Sequence, residues 1–423
     1  MQAKQWHFFQ ECLRSRHDGE QRNDEKLLFP QAAAIYQLES PACFSVVSRW
    51  KKNVHRFFSG QLLILLGCVM QSSWCPGQET PAPPVDLAPP PLTVESPPLA
   101  PSSVIDGPAF AGLPLVAQPL WTRYALSDAL FWGRDNQSIN RPLIVGAGNP
   151  DDVRLSTQDL QFPFSEGVRA FYGSRNPDLR GWEVGYFGVY GQFADAMTST
   201  TPPDFIQFPP PIGNVLTADA ESAVVTYAST VNSAEINVFS TTTELLRRTG
   251  GWLTVDWLAG FRYIGLEEDS SIVTECCLTP TSSIFTPYRV RTRNNAFGGQ
   301  IGARGRLTWD RWAFESWAKA GILGNAQKQI QDPLIDYTGF QQRAARSATG
   351  SEVSFVGDIN LSAIYRLTEV WGIRAGYNLF WFTGAALAPD QFDFANTTTA
   401  GTGLISGGGL FMHGANLGLE ARW

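Results

Sequence analysis

The sequence predicts an all-β protein, namely a transmembrane antiparallel up-and-down β-barrel of about ten strands, preceded by a signal peptide and a proline-rich disordered segment. Three observations predict it. Residues of alternating polarity recur from Trp121 onward, short and long connections alternate between them, and the last segment ends on an aromatic residue. No run of 18 apolar residues is present, so the sequence predicts no membrane-spanning helix. A mean hydropathy of -0.12 fits a barrel, because lipid-facing and lumen-facing residues alternate along each strand.

The N-terminal part has the pattern of a displaced signal peptide. Basic residues at 51–56 precede an apolar stretch, Leu62–Met70, and small residues follow up to Gly77. We therefore assign 51–77 as a signal peptide cleaved before Gln78, and 1–50 as a spurious or disordered extension. Two alternatives stay open. The extension could be a cytoplasmic segment before a signal anchor, and Leu65-Leu66-Gly67-Cys68 resembles a lipobox in which Cys68 is lipidated.

The next segment, 78–120, is predicted to be a periplasmic linker. Thirteen prolines lie between Pro76 and Pro119, so this stretch cannot pack a core and will be extended or disordered. After residue 77 the chain carries 23 basic and 33 acidic residues, which argues against nucleic-acid binding. The cysteines after this point are the adjacent Cys276 and Cys277, which could form a vicinal disulfide or remain free thiols.

The barrel itself is predicted to occupy 121–423. Ten strands are expected at 121–133, 166–175, 180–193, 233–248, 252–267, 290–309, 312–326, 351–367, 370–382 and 408–423. The fifth strand shows the pattern best, since Trp257, Phe261 and Tyr263 share one face while Asp256 and Arg262 share the other.

Charged residues test this assignment, because a charge facing lipid at mid-membrane costs roughly 2 to 4 kcal/mol. Most lie in the phase opposite the apolar residues, as Glu183, Glu235 and Glu420 do. The candidate lumen-lining residues are Asp256, Arg262, Arg304, Glu315, Lys319, Asp358, Arg366 and Arg374. Asp128 shares the phase of Tyr124 and Trp132, which suggests a bulge or a misjudged register. In a ten-stranded barrel we expect these charged side chains to form salt bridges that fill the lumen, rather than to line a path for ions or solutes.

The connections alternate in length. Tight turns are expected at 175–180, 248–252, 309–312 and 367–370, and long loops at 134–165, 194–232, 268–289, 327–350 and 383–407. Membrane barrels have short periplasmic turns and long external loops, and an even strand number returns both ends to the periplasm. A soluble β-sandwich is the alternative, but it has less reason to alternate its loop lengths.

The final strand resembles an outer-membrane assembly signal. Apolar residues occupy alternate positions from Phe411 to the terminal Trp423, and we assign Leu419, Ala421 and Trp423 as the signal. The partners expected on this basis are the lipid bilayer of the outer membrane and its assembly machinery.

Several short motifs resemble planctomycete outer-membrane β-barrels of the BBP-seven type, formerly a domain of unknown function. They are Leu130-Phe131-Trp132, Gly167-Val168-Arg169, Ser233-Ala234-Glu235-Ile236-Asn237, Gly260-Phe261-Arg262-Tyr263 with Glu267-Glu268, Asn294 with Gly298-Gly299-Gln300-Ile301-Gly302, and Gly376-Tyr377 leading to Ala388-Pro389-Asp390-Gln391. The resemblance implies the fold and a location in the outer membrane of a bacterial cell. It implies no established activity.

No catalytic, cofactor-binding or metal-binding residue is predicted. His413 is the one histidine after residue 77, and it lies in the apolar phase of its strand. A hydrolase would need Asp151-Asp152 or Glu267-Glu268 to face His413 across the rim. We therefore expect a non-enzymatic structural or surface-interaction role through five long extracellular loops, with an unspecified extracellular ligand. A narrow pore for small solutes or ions is the alternative, and an outer-membrane hydrolase is a third hypothesis.

Overall fold

The computed structural model describes residues 122–246, 251–279 and 282–423. The predicted extension, signal peptide and linker, together with Trp121, lie outside the described residues. Within the described ranges, ten antiparallel strands close into a barrel in which each strand pairs with its neighbours in chain order. These strands are β1 (Arg123–Asp135), β4 (Ser165–Arg175), β5 (Arg180–Ser199), β7 (Ser222–Leu246), β8 (Gly251–Thr279), β9 (Ser282–Trp309), β10 (Trp312–Gln331), β13 (Arg346–Arg366), β14 (Trp371–Ala385) and β15 (Gly408–Arg422).

Smaller elements lie in the connections. A three-stranded sheet is formed by β2 (Pro142–Gly146), β3 (Asn149–Ser156) and β6 (Ile206–Gln207), and a hairpin by β11 (Leu334–Ile335) and β12 (Gln341–Arg343). A one-turn helix α1 (Gly213–Leu216) and 3-10 turns at Thr157–Asp159 and Pro389–Gln391 complete the elements. No helix in the described ranges is long and apolar enough to cross a membrane.

The barrel confirms the predicted fold class and all ten strand positions, but several strands extend further than predicted. β7 begins at Ser222, β8 ends at Thr279 and β9 begins at Ser282. The expected long loop at 268–289 is therefore wrong, because the ends of two paired strands occupy it. The alternation signal fails there because the outward face is also charged, as in the ion pair between Arg289 and Asp269.

The outward face carries an apolar band. On β8 this band runs from Leu253 to Tyr263, which corresponds to roughly 25 Å along the barrel axis for tilted strands. Exposed tryptophans mark its short-turn edge: Trp182, Trp257, Trp309, Trp312, Trp371 and Trp423. At the other edge, tyrosine hydroxyls bind polar neighbours, as Tyr263 does with Asn295 at 2.8 Å. Aromatic girdles of this kind lie at the two membrane interfaces.

The short-turn end also closes the ring. The carbonyl oxygen of Trp423 accepts hydrogen bonds from the backbone N–H groups of Thr122 and Arg123, both at 2.9 Å. The Trp423 N–H donates to the carbonyl of Arg123 at 3.0 Å. The first and last described residues therefore lie side by side at this end, while the larger connections lie at the other end, which we call the loop end.

Candidate functional site: a lumen closed in two ways

The inner face of β1 corrects one expectation. Asp128 points into the lumen, and β1 pairs with both β15 and β4 without a register shift, so the predicted bulge is wrong. Tyr124 and Trp132 also point inward and are buried. The phase was misjudged because this strand places its large residues inside and mostly small ones, such as Ala125, outside.

Charged side chains fill the short-turn half of the lumen, and Arg304 of β9 is their centre. Its guanidinium donates to Glu183 at 2.6 Å, to Asp256 at 2.7 Å and to the hydroxyl of Tyr124 at 2.8 Å. Tyr124 in turn donates to Glu183. All four side chains are buried and come from four different strands, so these contacts tie opposite walls of the barrel together.

A second group of charges surrounds Glu235. Arg262 bridges the carboxylates of Glu235 at 2.5 Å and Asp358 at 3.0 Å. Lys319 contacts Glu235 and also lies 3.3 Å from Glu183, so this group is continuous with the one around Arg304. Its charges are fully enclosed by the barrel.

A third group lies beside the junction of β14 and β15. Glu315 accepts from Arg306 at 3.1 Å, from Arg374 at 3.3 Å and from Arg422 at 2.8 Å. Arg374 also lies 3.2 Å from Asp128. Opposite charges are thus interleaved across the lumen, and desolvated ion pairs of this kind are costly to break by removing one partner.

The structure brings together most of the predicted lumen residues. Asp256, Arg262, Arg304, Glu315, Lys319, Asp358 and Arg374 are buried in this charged network. Arg366 is not part of it. It is half-buried near the turn after β13, where its guanidinium donates to the carbonyl of Asp310. The reason is its position as the last residue of its strand, beyond the enclosed lumen.

Sequence reasoning missed three arginines of the network, which are Arg169, Arg306 and Arg422. Arg306 and Arg422 lie two positions from the recognised Arg304 and Glu420, so strand parity alone could have found them. Arg169 donates to Asp128, whose phase was itself misjudged.

An apolar layer lies above the charged network. It is built around three ring contacts: Trp132 with Phe187 at 5.4 Å between centroids, Trp132 with Phe380 at 6.3 Å, and Phe187 with Phe380 at 5.1 Å. Leu130, Leu266 and Met412 pack in the same cluster. This layer separates the charged network from the loop end.

In the loop-end half a chain segment, 383–407, folds into the barrel mouth, where it packs with residues of other connections such as Leu160 and Phe208. The side chain of Asn294 makes two bonds to the backbone of Ala386, at 2.8 and 2.9 Å. Asn325 and Gln327 both donate to the carbonyl of Gly384, at 2.9 and 2.7 Å. We call 383–407 the plug, and the five residues Asn294, Asn325, Gln327, Gln329 and Gln331 the amide wall.

The rest of the amide wall continues along β10. Gln331 donates to the carbonyl of Gln391 at 2.7 Å, and Gln329 to that of Gly401 at 3.3 Å. Inward-facing positions alternate along a strand, so amides at every second residue meet successive points of the plug backbone. Along this wall the plug is therefore held by neutral side-chain hydrogen bonds, unlike the ion pairs of the charged network below it.

Glu268 anchors the middle of the plug. One carboxylate oxygen accepts from Arg134 at 2.7 Å and Tyr227 at 2.8 Å, and the other accepts from the N–H of Ala388 at 2.9 Å. Asp390, two residues later, accepts from the N–H of Ile139 at 2.8 Å. Burial raises the pKa of Asp390 from 3.8 to about 6.

The acidic residues that a hydrolase was expected to place beside His413 make other contacts. His413 points outward from β15, where its Nδ1 lies 2.6 Å from the hydroxyl of Tyr377. Glu268 is enclosed inside the barrel, and Asp152 pairs with Arg154 on the surface at 2.7 Å. Cys276 is a free cysteine, so it forms no vicinal disulfide. Across 122–246, 251–279 and 282–423, no group of three or more His, Cys, Asp or Glu residues is arranged to hold a metal ion.

The family comparison agrees with this architecture. A family model described as "Putative beta barrel porin-7 (BBP7)" matches residues 164–423. No curated protein matches the chain. Among solved structures, the outer membrane protease OmpT from Escherichia coli is 8% identical, with a TM-score of 0.40 over 71% of this chain and 97% of that one. A Pseudomonas aeruginosa FadL homologue is 8% identical, with a TM-score of 0.21 over 71% and 90%.

Proposed function

The chain belongs to the beta barrel porin-7 family of outer-membrane barrels, and on that premise we propose that it is a closed, non-enzymatic surface barrel rather than an open pore. The observation that carries this proposal is the charged network, since Arg304, Glu183 and Asp256 link facing walls of the lumen. Eight strands already leave room for side chains only, and ten strands add little. We therefore expect that hydrated ions do not pass through it.

The proposed working surface is the loop end, which we place outside the cell, with the short turns and the proline-rich linker in the periplasm. The β11–β12 hairpin supports a surface role. Its turn is fixed by Asp336, which accepts from the N–H groups of Thr338 and Phe340, both at 2.9 Å. These contacts hold Tyr337 and Phe340 in exposed positions, 50% and 64% exposed. Rigid exposed aromatics suit contact with an external partner.

The predicted assembly signal remains a proposal for the C-terminal strand. Leu419 and Trp423 face outward and are exposed, whereas Ala421 is only 6% exposed. The bonds from Trp423 to Thr122 and Arg123 give this residue a second role in closing the ring.

Conductance in planar lipid bilayers tests the proposed function. We expect the purified protein to give no large steady current, because neither half of the lumen is open. A general bacterial porin inserted under the same conditions controls for insertion. Steady ion-selective currents would overturn the closed barrel and favour the second candidate, a narrow pore, which the porin name of the family also suggests.

A further inference from the structure

The plug differs from the rest of the lumen in having a buried acid that nothing neutralises directly. Asp390 is fully buried, and one of its carboxylate oxygens accepts from Ile139 while the other has no hydrogen-bond partner in the described chain. Burying an ionised carboxylate in this condition is unfavourable, whereas a protonated carboxyl is tolerated. The seating of the plug is therefore coupled to the charge of one residue.

The surroundings of Asp390 do not remove this cost. Arg141 approaches it, but its guanidinium donates to the backbone carbonyl of Asp390, at 2.8 Å. Glu268 of β8 and Tyr227 of β7 face it as well, and the negative charge of Glu268 opposes ionisation further. Arg134 of β1 is engaged with Glu268 and Tyr227.

We infer that the 383–407 plug is displaceable and seats more tightly when Asp390 is protonated, so that the loop-end half of the lumen opens as the pH rises from acid to neutral. The hydrogen bonds between the amide wall and the plug allow displacement. Amide groups of the wall and carbonyls of the plug can each bind water when they separate, so the net cost of parting them is modest. The side chains of the charged network are fixed on the barrel strands, so this network stays closed when the plug moves.

The sign of the pH effect follows from linkage. In the seated plug the pKa of Asp390 is raised to about 6, whereas in a displaced, solvated plug it returns to the ordinary 3.8. Below the ordinary value both states are protonated and seating is strongest. As the pH rises from there through about 6, ionisation favours the displaced state, and above that the balance stays constant. From pH 5 to 7.5 the displaced fraction should rise roughly tenfold.

A buried reporter can detect displacement. Thr292 lies on the inner face of β9, and it is 4% exposed. It is flanked by Val290, which packs in one cluster with Phe392 of the plug, and by Asn294, which binds Ala386. A cysteine at 292 is therefore covered when the plug is seated. Arg293 on the outer face of the same strand supplies the matched control position, because it is exposed.

The experiment measures labelling by a water-soluble methanethiosulfonate reagent in the full chain with its six native cysteines changed to serine. The rate for Thr292→Cys is divided by that for Arg293→Cys at each pH, which removes the effect of pH on thiol reactivity. We expect the ratio to rise roughly tenfold from pH 5 to 7.5. With Asp390→Asn added, the ratio should stay low and flat.

A second variant keeps the test independent of Asp390. Gln327→Ala with Gln331→Ala should raise the ratio at every pH and keep the pH slope, while Lys328→Ala, on the outer face of the same strand, should change nothing. A ratio that is flat in the parent protein, or a slope that persists in Asp390→Asn, would overturn the inference. Bilayer currents are recorded on the same samples, and a current would contradict the closed barrel without deciding the labelling result.

Discussion

The two halves of the lumen are filled by different chemistry. In the short-turn half, side chains fixed on the barrel strands meet in buried ion pairs, such as Arg262 with Glu235 and Asp358. In the loop-end half, neutral amides such as Asn294 hold the backbone of a connecting segment. From this difference we infer a permanent seal at the short-turn end and a reversible one at the loop end, because the ion-paired side chains are fixed on barrel strands whereas the plug is a connecting segment.

The largest expected effect comes from removing the centre of the charged network. Arg304→Met leaves Asp256 buried without its ion-pair partner and Glu183 with Lys319 alone, so the free energy of unfolding should fall by about 3 to 5 kcal/mol. Urea unfolding of the protein refolded into lipid vesicles measures this value.

The matched control for that change is Arg293→Met. Arg293 pairs with Glu267 on the outer surface, where both side chains are about 60% exposed, and such a pair contributes about 1 kcal/mol or less. An equal free energy of unfolding for the two variants would contradict the view that the buried network stabilises the barrel more than surface ion pairs do.

A smaller effect is expected at the loop end. Gln327→Ala with Gln331→Ala removes two hydrogen bonds to the plug, at Gly384 and Gln391, and should lower the free energy of unfolding by about 2 kcal/mol or less. The same urea titration measures it against Lys328→Ala. A loss as large as that of Arg304→Met would show that the plug is as integral to the barrel as the charged network.

Much of the barrel could be predicted because a strand with one lipid face and one lumen face has a two-residue period. Asp256 and Arg262 followed from this period directly. The period failed where both faces have the same character. In β1 both faces carry apolar residues, so Asp128 was assigned to the wrong side. In the loop-end part of β8 both faces are mostly polar, so the predicted strand ended too early, at residue 267.

The plug could not be predicted for a different reason. Gln327, Gln329 and Gln331 alternate along β10, but nothing in that pattern says that they bind backbone rather than solvent. Their partners lie 57 to 72 residues away in a segment with almost no regular structure, and such a fit is visible only once the chain has folded.

Bilayer conductance of a plug-deleted protein tests directly whether two independent closures seal the lumen. Replacing 386–405 by a short glycine–serine linker removes the plug and leaves every side chain of the charged network in place. We expect that this protein still carries no large steady current, because Arg304, Glu315 and their partners close the other half. A large, stable current from the deletion variant would contradict it and would show that the plug alone closes the barrel.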